Sequence, residues 1–364
     1  MTGQGAAWAE RALESVLERT RRTAAEVGSR FPLYAEPDTG RWTTTARGSW
    51  TGGFWAGLLW LRARATGDPA DRAAACAATR SLEFWTDQDT ATRGLIFWYG
   101  TAPADDCPAA AGLRTRAAQA CLSAYDSRLG LVPWGGAFGG PRLLARADGV
   151  PGLVPLLAGA GADGRAAAHR MLVRQLGLCL AEDPPRPAWQ SRPDGGWAAH
   201  PEPAPGWSRT AAWLLLAASD GLHRASGDRR LALGAPVDRL VALRLGEAAR
   251  PVPRACGEDP AAPVDTSAAA IEAVAALKLA ALADAAGRYE DAARLAGRGR
   301  QVLGELCAAH LSVPGDRGRP AGMLLDGCYD AERGLAVRHE LIWGDFFLAL
   351  GLAILTGLVG PFDC

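Results

Sequence analysis

The chain has 364 residues, of which 49% are hydrophobic, and its 39 basic and 39 acidic side chains give a formal net charge of zero. Such a chain can bury a sizeable core, which excludes an intrinsically disordered protein, and it lacks the basic excess typical of nucleic-acid binding. Eight cysteines are scattered without a CxxC pair or a zinc-ligand spacing. We therefore expect reduced thiols, a cytoplasmic location, and no metal or cofactor.

The two ends of the chain do not indicate a membrane protein. Residues 1–18 carry Glu10, Arg11 and Glu14 within their apolar pattern, which is unlike the uninterrupted apolar core of a signal peptide. Near the other end, residues 346–359 form an apolar run that is too short and too rich in glycine to cross a bilayer. We interpret this run as a buried helix, and we expect no membrane partner.

A repeating unit organises the chain. An apolar helical stretch, a glycine-containing turn and a more polar helix follow one another, most clearly at 52–68 and 207–228 and more weakly at 152–164, 267–287 and 343–357. Strand signals are scarce. In a helical ring, the apolar helix is covered on all sides and the polar helix has one wet face. The repeats predict an all-α toroid of about six helical hairpins, in one domain over residues 1–364.

Three long segments between the repeats are predicted to be loops. They span residues 93–113, 130–140 and 182–206, and they contain Trp98, Trp134, Trp189 and Trp197. Aromatic side chains at one end of a barrel can stack on the apolar faces of sugar rings. The same side chains could instead plug the end of the barrel, and the sequence leaves both roles open.

Carboxylates are the best candidates for catalysis, because the sequence has no GxSxG, HExxH or P-loop motif. An aromatic pocket can raise the pKa of a carboxylic acid until it holds a proton near neutral pH, as sugar chemistry requires. Asp148 stands just before an inferred inner helix and shortly after the Trp134 loop. It is predicted to point into the barrel mouth, although an Asp in this position can also be an ordinary N-cap.

Further polar side chains accompany Asp148. Asp87 and Asp89 lie in a polar turn, where either one could be a second carboxylate that helps Asp148 keep its proton or could simply cap a loop. Arg209 opens an inner helix between Trp207 and Trp213, so it could grip a carboxylate or form a structural Arg–Asp pair. Asp265 and Asp345 also begin apparent inner helices, as N-caps first and site residues second.

Six segments in the same order resemble the unsaturated glucuronyl hydrolases of glycoside hydrolase family 88, and more distantly the unsaturated rhamnogalacturonyl hydrolases of family 105. The resemblance covers most of the chain. It rests on residues 50–68, the Asp148 segment, and residues 207–213, 265–271, 322–329 and 341–347.

This resemblance implies an (α/α)6 barrel and a metal-free hydrolase. Its substrate would be a small oligosaccharide with a 4,5-unsaturated uronic acid at the nonreducing end, hydrated at the C4=C5 bond by an Asp acting as acid and base. By position, Asp148 matches that acid/base. Asp89 matches the second Asp of the family's His-Asp-x-Gly-Phe motif, with Asp87 as the alternative. The residues implied to bind substrate are Asp87, Trp42, Trp134, His200, Arg209 and Trp213.

The chain departs from the family pattern at several positions. Gln88 replaces the motif's His, additional residues separate Asp89 from Gly94, and Thr210 and Ala211 replace a Gly-Gln pair. Two other functions therefore stay open. One is another carbohydrate-active enzyme with an (α/α) barrel, and the other is a catalytically inactive barrel that binds a sugar or a protein.

Overall fold

Helices dominate the computed structural model, which describes residues 7–104, 107–257, 259–316 and 318–364. The first six residues of the predicted domain lie outside this range. Twelve α-helices are present in the described residues. In chain order they are α1 (Ala7–Val27), α2 (Gly52–Thr66), α3 (Pro69–Ser81), α4 (Tyr99–Thr101), α5 (Pro108–Ser123), α6 (Leu153–Ala158), α7 (Gly161–Cys179), α8 (Arg209–Arg224), α9 (Asp228–Arg244), α10 (Thr266–Ala285), α11 (Tyr289–Glu305) and α12 (Ile342–Leu355).

The even-numbered helices form an inner ring and the odd-numbered helices an outer ring. Around the inner ring, α2 packs on α4, α6 on α8, α8 on α10, α10 on α12 and α12 on α2, while α6 packs on the helical turn that precedes α4. Inner helices such as α12 are buried on nearly every face, whereas outer helices such as α11 are amphipathic. The predicted (α/α)6 barrel is confirmed.

The apolar inner helices are the core of a barrel. By length and composition α10 could cross a membrane, but 94% of its apolar window is buried within the protein. Its charged side chains are paired across the ring: Lys278 contacts Asp220 at 2.7 Å, and Glu272 contacts Arg244 at 2.7 Å. The apolar run at 346–359 falls largely in α12, as a buried helix, which confirms that prediction.

One predicted loop is in fact part of the inner ring. Residues 93–113 contain a π-helical turn (Gly94–Trp98) that continues into α4, and α5 begins within them. A Cβ atom on Gly53 would lie 2.2 Å from the Leu95 carbonyl oxygen, and one on Gly94 would lie 2.2 Å from the Leu153 amide nitrogen. Glycine thus allows three inner elements to touch backbone to backbone, and the short glycine-bounded run hides its helical character.

Short strands lie at the mouth of the barrel. The strands found in the described residues are β1 (Phe31–Ala35), β2 (Trp42–Thr45), β3 (Leu144–Arg146), β4 (Ala188–Ser191), β5 (Trp197–Ala199), β6 (Gly327–Asp330) and β7 (Leu335–Leu341). They form two sheets, ordered β2-β1-β7-β6 and β3-β4-β5. The prediction of an unstructured loop over 182–206 is therefore wrong in part. Because β2, β3, β5 and β7 each precede an inner helix, the sheets lie at the N-terminal ends of the inner ring.

Candidate active site

A cavity of 410 Å³ opens at the N-terminal ends of the inner helices. Its walls are aromatic and its rim is charged. The residues that line it include Trp50, Thr92, Trp134, Phe138, Arg146, Asp148, Glu202, Trp207, Arg209, Trp213, Cys328, Tyr329, Asp330, Glu332 and Arg333. The cavity thus brings together four residues of the predicted set: Asp148, Trp134, Arg209 and Trp213.

Asp148 lies at the end of β3, in a single turn of 3₁₀-helix (Ala147–Gly149) that leads to α6. The strand ends at Arg146, and the turn that follows brings the Asp148 side chain back to that of Arg146. The Arg146 guanidinium donates two parallel hydrogen bonds to the Asp148 carboxylate, at 2.9 and 2.8 Å, and its Cζ lies 4.2 Å from the centre of the Trp134 ring. Asp148 is therefore held in one orientation by a charged, stacked partner.

Arg146 keeps its positive charge in this setting. Burial lowers the pKa of its guanidinium, but attraction to Asp148, with smaller contributions from Glu202 and Tyr329, outweighs burial and leaves the pKa raised. Arg146 is therefore a cation with two of its donors engaged by the Asp148 carboxylate.

Arg209 lines the same cavity in a different way. Its Nη1 donates to Asp265 Oδ2 at 2.6 Å and to the Cys328 carbonyl, and its Nη2 donates to the Tyr329 carbonyl at 2.6 Å. Asp265 is itself the N-cap of α10 and accepts from Ser267 N at 3.1 Å. The sequence left two roles open for Arg209, and in the structure it forms the Arg–Asp pair.

Asp265 thus caps its helix as predicted. Asp345, in contrast, lies within the first turn of α12 rather than at its N-cap, which is Leu341. Its carboxylate accepts from Leu324 N at 3.3 Å.

The two Asp residues predicted as partners of Asp148 lie elsewhere. Asp89 accepts from Arg142 Nε at 2.6 Å and from Gly136 N at 3.1 Å, and the hydrogen bond from Arg142 lowers the pKa of its carboxyl group against an opposing effect of burial. Asp87 ends a short exposed turn (Glu83–Asp87). Both lie outside the set of cavity-lining residues. The expected pairing of either one with Asp148 is not found.

Thr92 lies in the cavity wall, two residues before the tightly packed Gly94. The motif His-Asp-x-Gly-Phe has the same spacing between its Asp and its Gly. The Thr92 hydroxyl lies 2.9 Å from that of Thr90. A neutral hydroxyl therefore lines the wall at this position, and Asp89 does not.

Two further residues predicted to bind substrate are not in the cavity wall. Trp42 is a core side chain on β2, and its indole N–H donates to Thr23 Oγ1 at 3.0 Å. The His200 ring nitrogen Nδ1 lies 2.7 Å from the Glu202 carbonyl oxygen, so His200 shapes a turn of the chain. Glu202, two residues further on, is the one that lines the cavity.

Several residues at the site were not predicted from the sequence. Trp50 donates from its indole N–H to the Tyr329 hydroxyl at 3.2 Å, and its ring lies 4.9 Å from that of Trp343, which makes a continuous aromatic wall. At the rim, Arg333 bridges Glu202 at 2.6 Å and Asp330 at 2.9 Å. Arg146 stands only two residues before Asp148, but the turn at Ala147–Gly149 decides that their side chains meet. The rim residues come from distant segments and carry no local signal.

Solved structures of known proteins have this fold. No protein-family model and no curated protein matches the sequence. Among solved structures, the unsaturated glucuronyl hydrolase from Bacillus sp. GL1, described as responsible for the degradation of glycosaminoglycan, is similar with a TM-score of 0.82 and 21% identity, over 95% of this chain and 96% of that one. An unsaturated glucuronyl hydrolase specific for heparin has a TM-score of 0.82 and 17% identity, over 96% and 97%.

A third similar structure is an unsaturated glucuronyl hydrolase from Streptococcus agalactiae, with a TM-score of 0.78 and 17% identity, over 96% of this chain and 92% of that one. At such identities the likeness establishes the fold. The resemblance first seen in six sequence segments therefore extends to the three-dimensional arrangement of the whole barrel.

Proposed function

We propose that the protein is a glycoside hydrolase that hydrates the C4=C5 bond of a 4,5-unsaturated uronic acid at the nonreducing end of a small oligosaccharide. The observation that carries this proposal is the position of Asp148, which faces an aromatic-walled cavity at the mouth of an (α/α)6 barrel. Similar structures support the substrate class, because one holds dGlcA-Glc-Rha-Glc and another holds dGlcA-GalNAc6S.

In this proposal, Asp148 is both acid and base. Its carboxylic acid gives a proton to C4, and the resulting carboxylate takes a proton from the water that adds at C5, so that one water molecule is consumed and Asp148 is regenerated. The hemiketal formed at C5 then opens and releases the neighbouring sugar. Trp134 and the wall around Trp50 and Tyr329 offer faces on which the two sugar rings could stack.

The size of the cavity suits a short ligand. At 410 Å³ it lies in the lower part of the range of small-molecule sites, about 300–1,000 Å³. Disaccharides left by polysaccharide lyases would supply such ligands. The cytoplasmic location stays a prediction that rests on the charged pattern of residues 1–18 and on the scattered cysteines.

The proposal is tested by incubating the purified protein with a panel of unsaturated disaccharides and following the ultraviolet absorbance of the conjugated double bond. The wild type is expected to remove this absorbance. Asp148→Asn, which keeps the size of the side chain but cannot exchange a proton, is expected to be slower by about 10²- to 10⁴-fold. Asp163→Asn makes the same change at the exposed start of α7 and serves as the matched control.

Two outcomes would contradict the proposal in different ways. If the wild type leaves the absorbance of every disaccharide unchanged, hydration is not its reaction. If Asp148→Asn is as fast as the wild type, hydration proceeds through another group.

A second candidate function is a barrel that binds the sugar without hydrating it. Thr92 favours this reading, because a hydroxyl stands where the family motif has a carboxylate. Such a protein would quench its tryptophan fluorescence when the unsaturated disaccharide is added and would leave the absorbance of the double bond intact. Loss of absorbance at a rate that depends on Asp148 would exclude this alternative.

A further inference from the structure

An unsaturated uronic acid carries a carboxylate, and the cavity must hold that charge. Among the described residues, three arginines line the cavity: Arg146, Arg209 and Arg333. Arg209 is buried and already donates to Asp265 and to two carbonyl groups. Arg333 lies exposed at the rim and bridges Glu202 and Asp330. In each of these two arginines both Nη nitrogens donate to protein groups, and neither holds a single carboxylate through two parallel hydrogen bonds.

Arg146 has the geometry that the other two lack. It presents a bidentate edge, formed by Nε and Nη2, to a single carboxylate, that of Asp148, and the same edge fits the carboxylate of a sugar acid equally well. Its plane lies on Trp134, which fixes the guanidinium while its partner changes. Both members of the pair reach the cavity, so a ligand can approach them from solvent.

We propose that Arg146 binds the carboxylate of the uronic acid by exchanging it for Asp148. This inference rests on the proposed function and adds to it a residue that the family resemblance does not supply. One bidentate ion pair replaces another, so the exchange keeps the number of charge-assisted hydrogen bonds constant. It also frees Asp148 next to the double bond that it must protonate.

The exchange also places a proton on Asp148. Before binding, two donors of Arg146 are engaged by Asp148. After the exchange they are engaged by the ligand, and the ligand's carboxylate lies close to Asp148 as a like charge, an arrangement in which one of two carboxyl groups takes up a proton. Glu202 also lines the cavity and is paired with Arg333, while Asp330 and Glu332 lie at the rim and the Tyr329 hydroxyl accepts from Trp50. From α7, the Cys179 thiol faces Asp148 as a neutral group, since burial raises its pKa to about 12. Ligand binding should therefore take up about one proton.

Binding, measured without turnover, tests the carboxylate contact. The probes are a saturated uronyl disaccharide, which has no double bond to hydrate, and its neutral analogue with a primary alcohol in place of the carboxylate. In the wild type we expect the uronyl probe to bind about 10- to 100-fold more tightly, by tryptophan fluorescence. Arg146→Met should reduce this ratio to below about threefold, and Arg146→Lys should restore part of it. Arg142→Met, an arginine that pairs with Asp89 outside the cavity, should leave it unchanged.

Calorimetry in buffers of different ionisation enthalpy tests the proton. The wild type is expected to take up about one proton per uronyl probe at pH 7. Asp148→Asn and Arg146→Met should take up close to none, a result that loss of packing alone would not produce. Arg146→Lys keeps the test meaningful if the Met variant does not fold.

The outcomes separate this inference from the proposed function. If Arg146→Met and Arg146→Lys keep the full preference for the uronyl probe, or if the wild type takes up no proton, the role of Arg146 is overturned even where unsaturated disaccharides are hydrated. If the preference and the proton uptake depend on Arg146 but no disaccharide is hydrated, the carboxylate site stands and the hydrolase proposal fails. A wild type that binds neither probe overturns both.

Discussion

Arg146–Asp148 and Arg209–Asp265 are ion pairs in the wall of the same cavity, yet their surroundings differ. The side chains of Arg209 and Asp265 are 3% and 0% exposed, whereas those of Arg146 and Asp148 are 19% and 17% exposed. Asp265 also accepts from the hydroxyls of Ser208 at 2.9 Å and Ser267 at 2.6 Å. The pair at the head of α8 and α10 is therefore saturated and closed to a ligand, while the pair on β3 is open to one.

This difference separates scaffold from site better than residue type does. A buried charge is costly unless its partner stays in place, so the Arg209–Asp265 pair can hold two inner helices in register but cannot release either member. A partly exposed pair loses less when it opens, because water and ligand can replace the missing partner. The cavity thus combines a fixed arginine with one that is free to exchange.

The largest effect is expected when the buried pair is broken. Arg209→Met leaves the Asp265 carboxylate buried without its cation, and we expect the free energy of unfolding to fall by about 3–5 kcal/mol. Arg146→Met should cost less than Arg209→Met, since the side chains of its pair are 19% and 17% exposed and line an open cavity. Urea unfolding of the two variants in parallel measures the contrast. Equal losses of stability would show that burial does not distinguish the pairs.

A smaller effect is expected when a carboxylate is introduced into the cavity wall at Thr92. In Thr92→Asp, a like charge near Asp148 favours the acid form that protonates C4, so kcat should rise by about tenfold. The same charge repels the substrate carboxylate, so KM should rise as well. Steady-state rates with an unsaturated disaccharide measure both constants. Thr92→Asn adds an amide of the same size without charge and should leave kcat close to that of the wild type.

A fall in kcat in Thr92→Asp, with the charge-free Asn variant unaffected, would mean that the wall at this position must be neutral. The reaction would then depend on Arg146 and the ligand alone to control the proton of Asp148.

The barrel could be predicted from the sequence because its signal is repeated. Apolar and polar helices alternate along the chain, and even weak copies reinforce one another in a ring. The second inner helix, α4, and the turn before it could not be predicted, because only five apolar residues stand between Gly94 and Gly100. Such a run is typical of a loop, and its place in the ring follows from the packing of Gly53 against it. Five of the seven strands could not be predicted, because three or four residues are too few to establish a period of two.

The site was predictable where its chemistry is local. Asp148, Trp134 and Trp213 stand beside inner helices and reach the cavity, as expected from their positions. The position of Asp89 could not be predicted, because spacing along the chain does not show whether the residues between Asp89 and Gly94 are an insertion. The partner of Arg209 could not be chosen either, since Asp265 lies 56 residues away and meets it only in the folded ring.

The smallest effect is expected at Asp89, whose pair with Arg142 is the most exposed of those compared, at 45% and 64%. The hydrogen bond from Arg142 lowers the pKa of the Asp89 carboxyl group in the folded protein. A lowered folded pKa adds stability that is present above the unfolded pKa, about 3.9, and is lost as pH falls through the folded value. Because solvent screens this pair, Asp89→Asn should cost less than about 0.5 kcal/mol at pH 7 and nothing once Asp89 is protonated.

Unfolding of wild type and Asp89→Asn at pH 7 and in the acid range measures this difference, and rates with an unsaturated disaccharide should agree within about twofold. A loss of activity comparable to that of Asp148→Asn would show that Asp89 takes part in catalysis. It would require the segment between Asp87 and Gly94 to rearrange when substrate binds, because in the present geometry Asp89 faces Arg142 and the Gly136 amide instead of the cavity. We expect the contribution of an ion pair to the free energy of unfolding to fall from Arg209–Asp265 through Arg146–Asp148 to Arg142–Asp89, in the order of their burial. Only the pair of intermediate exposure is expected to control ligand binding.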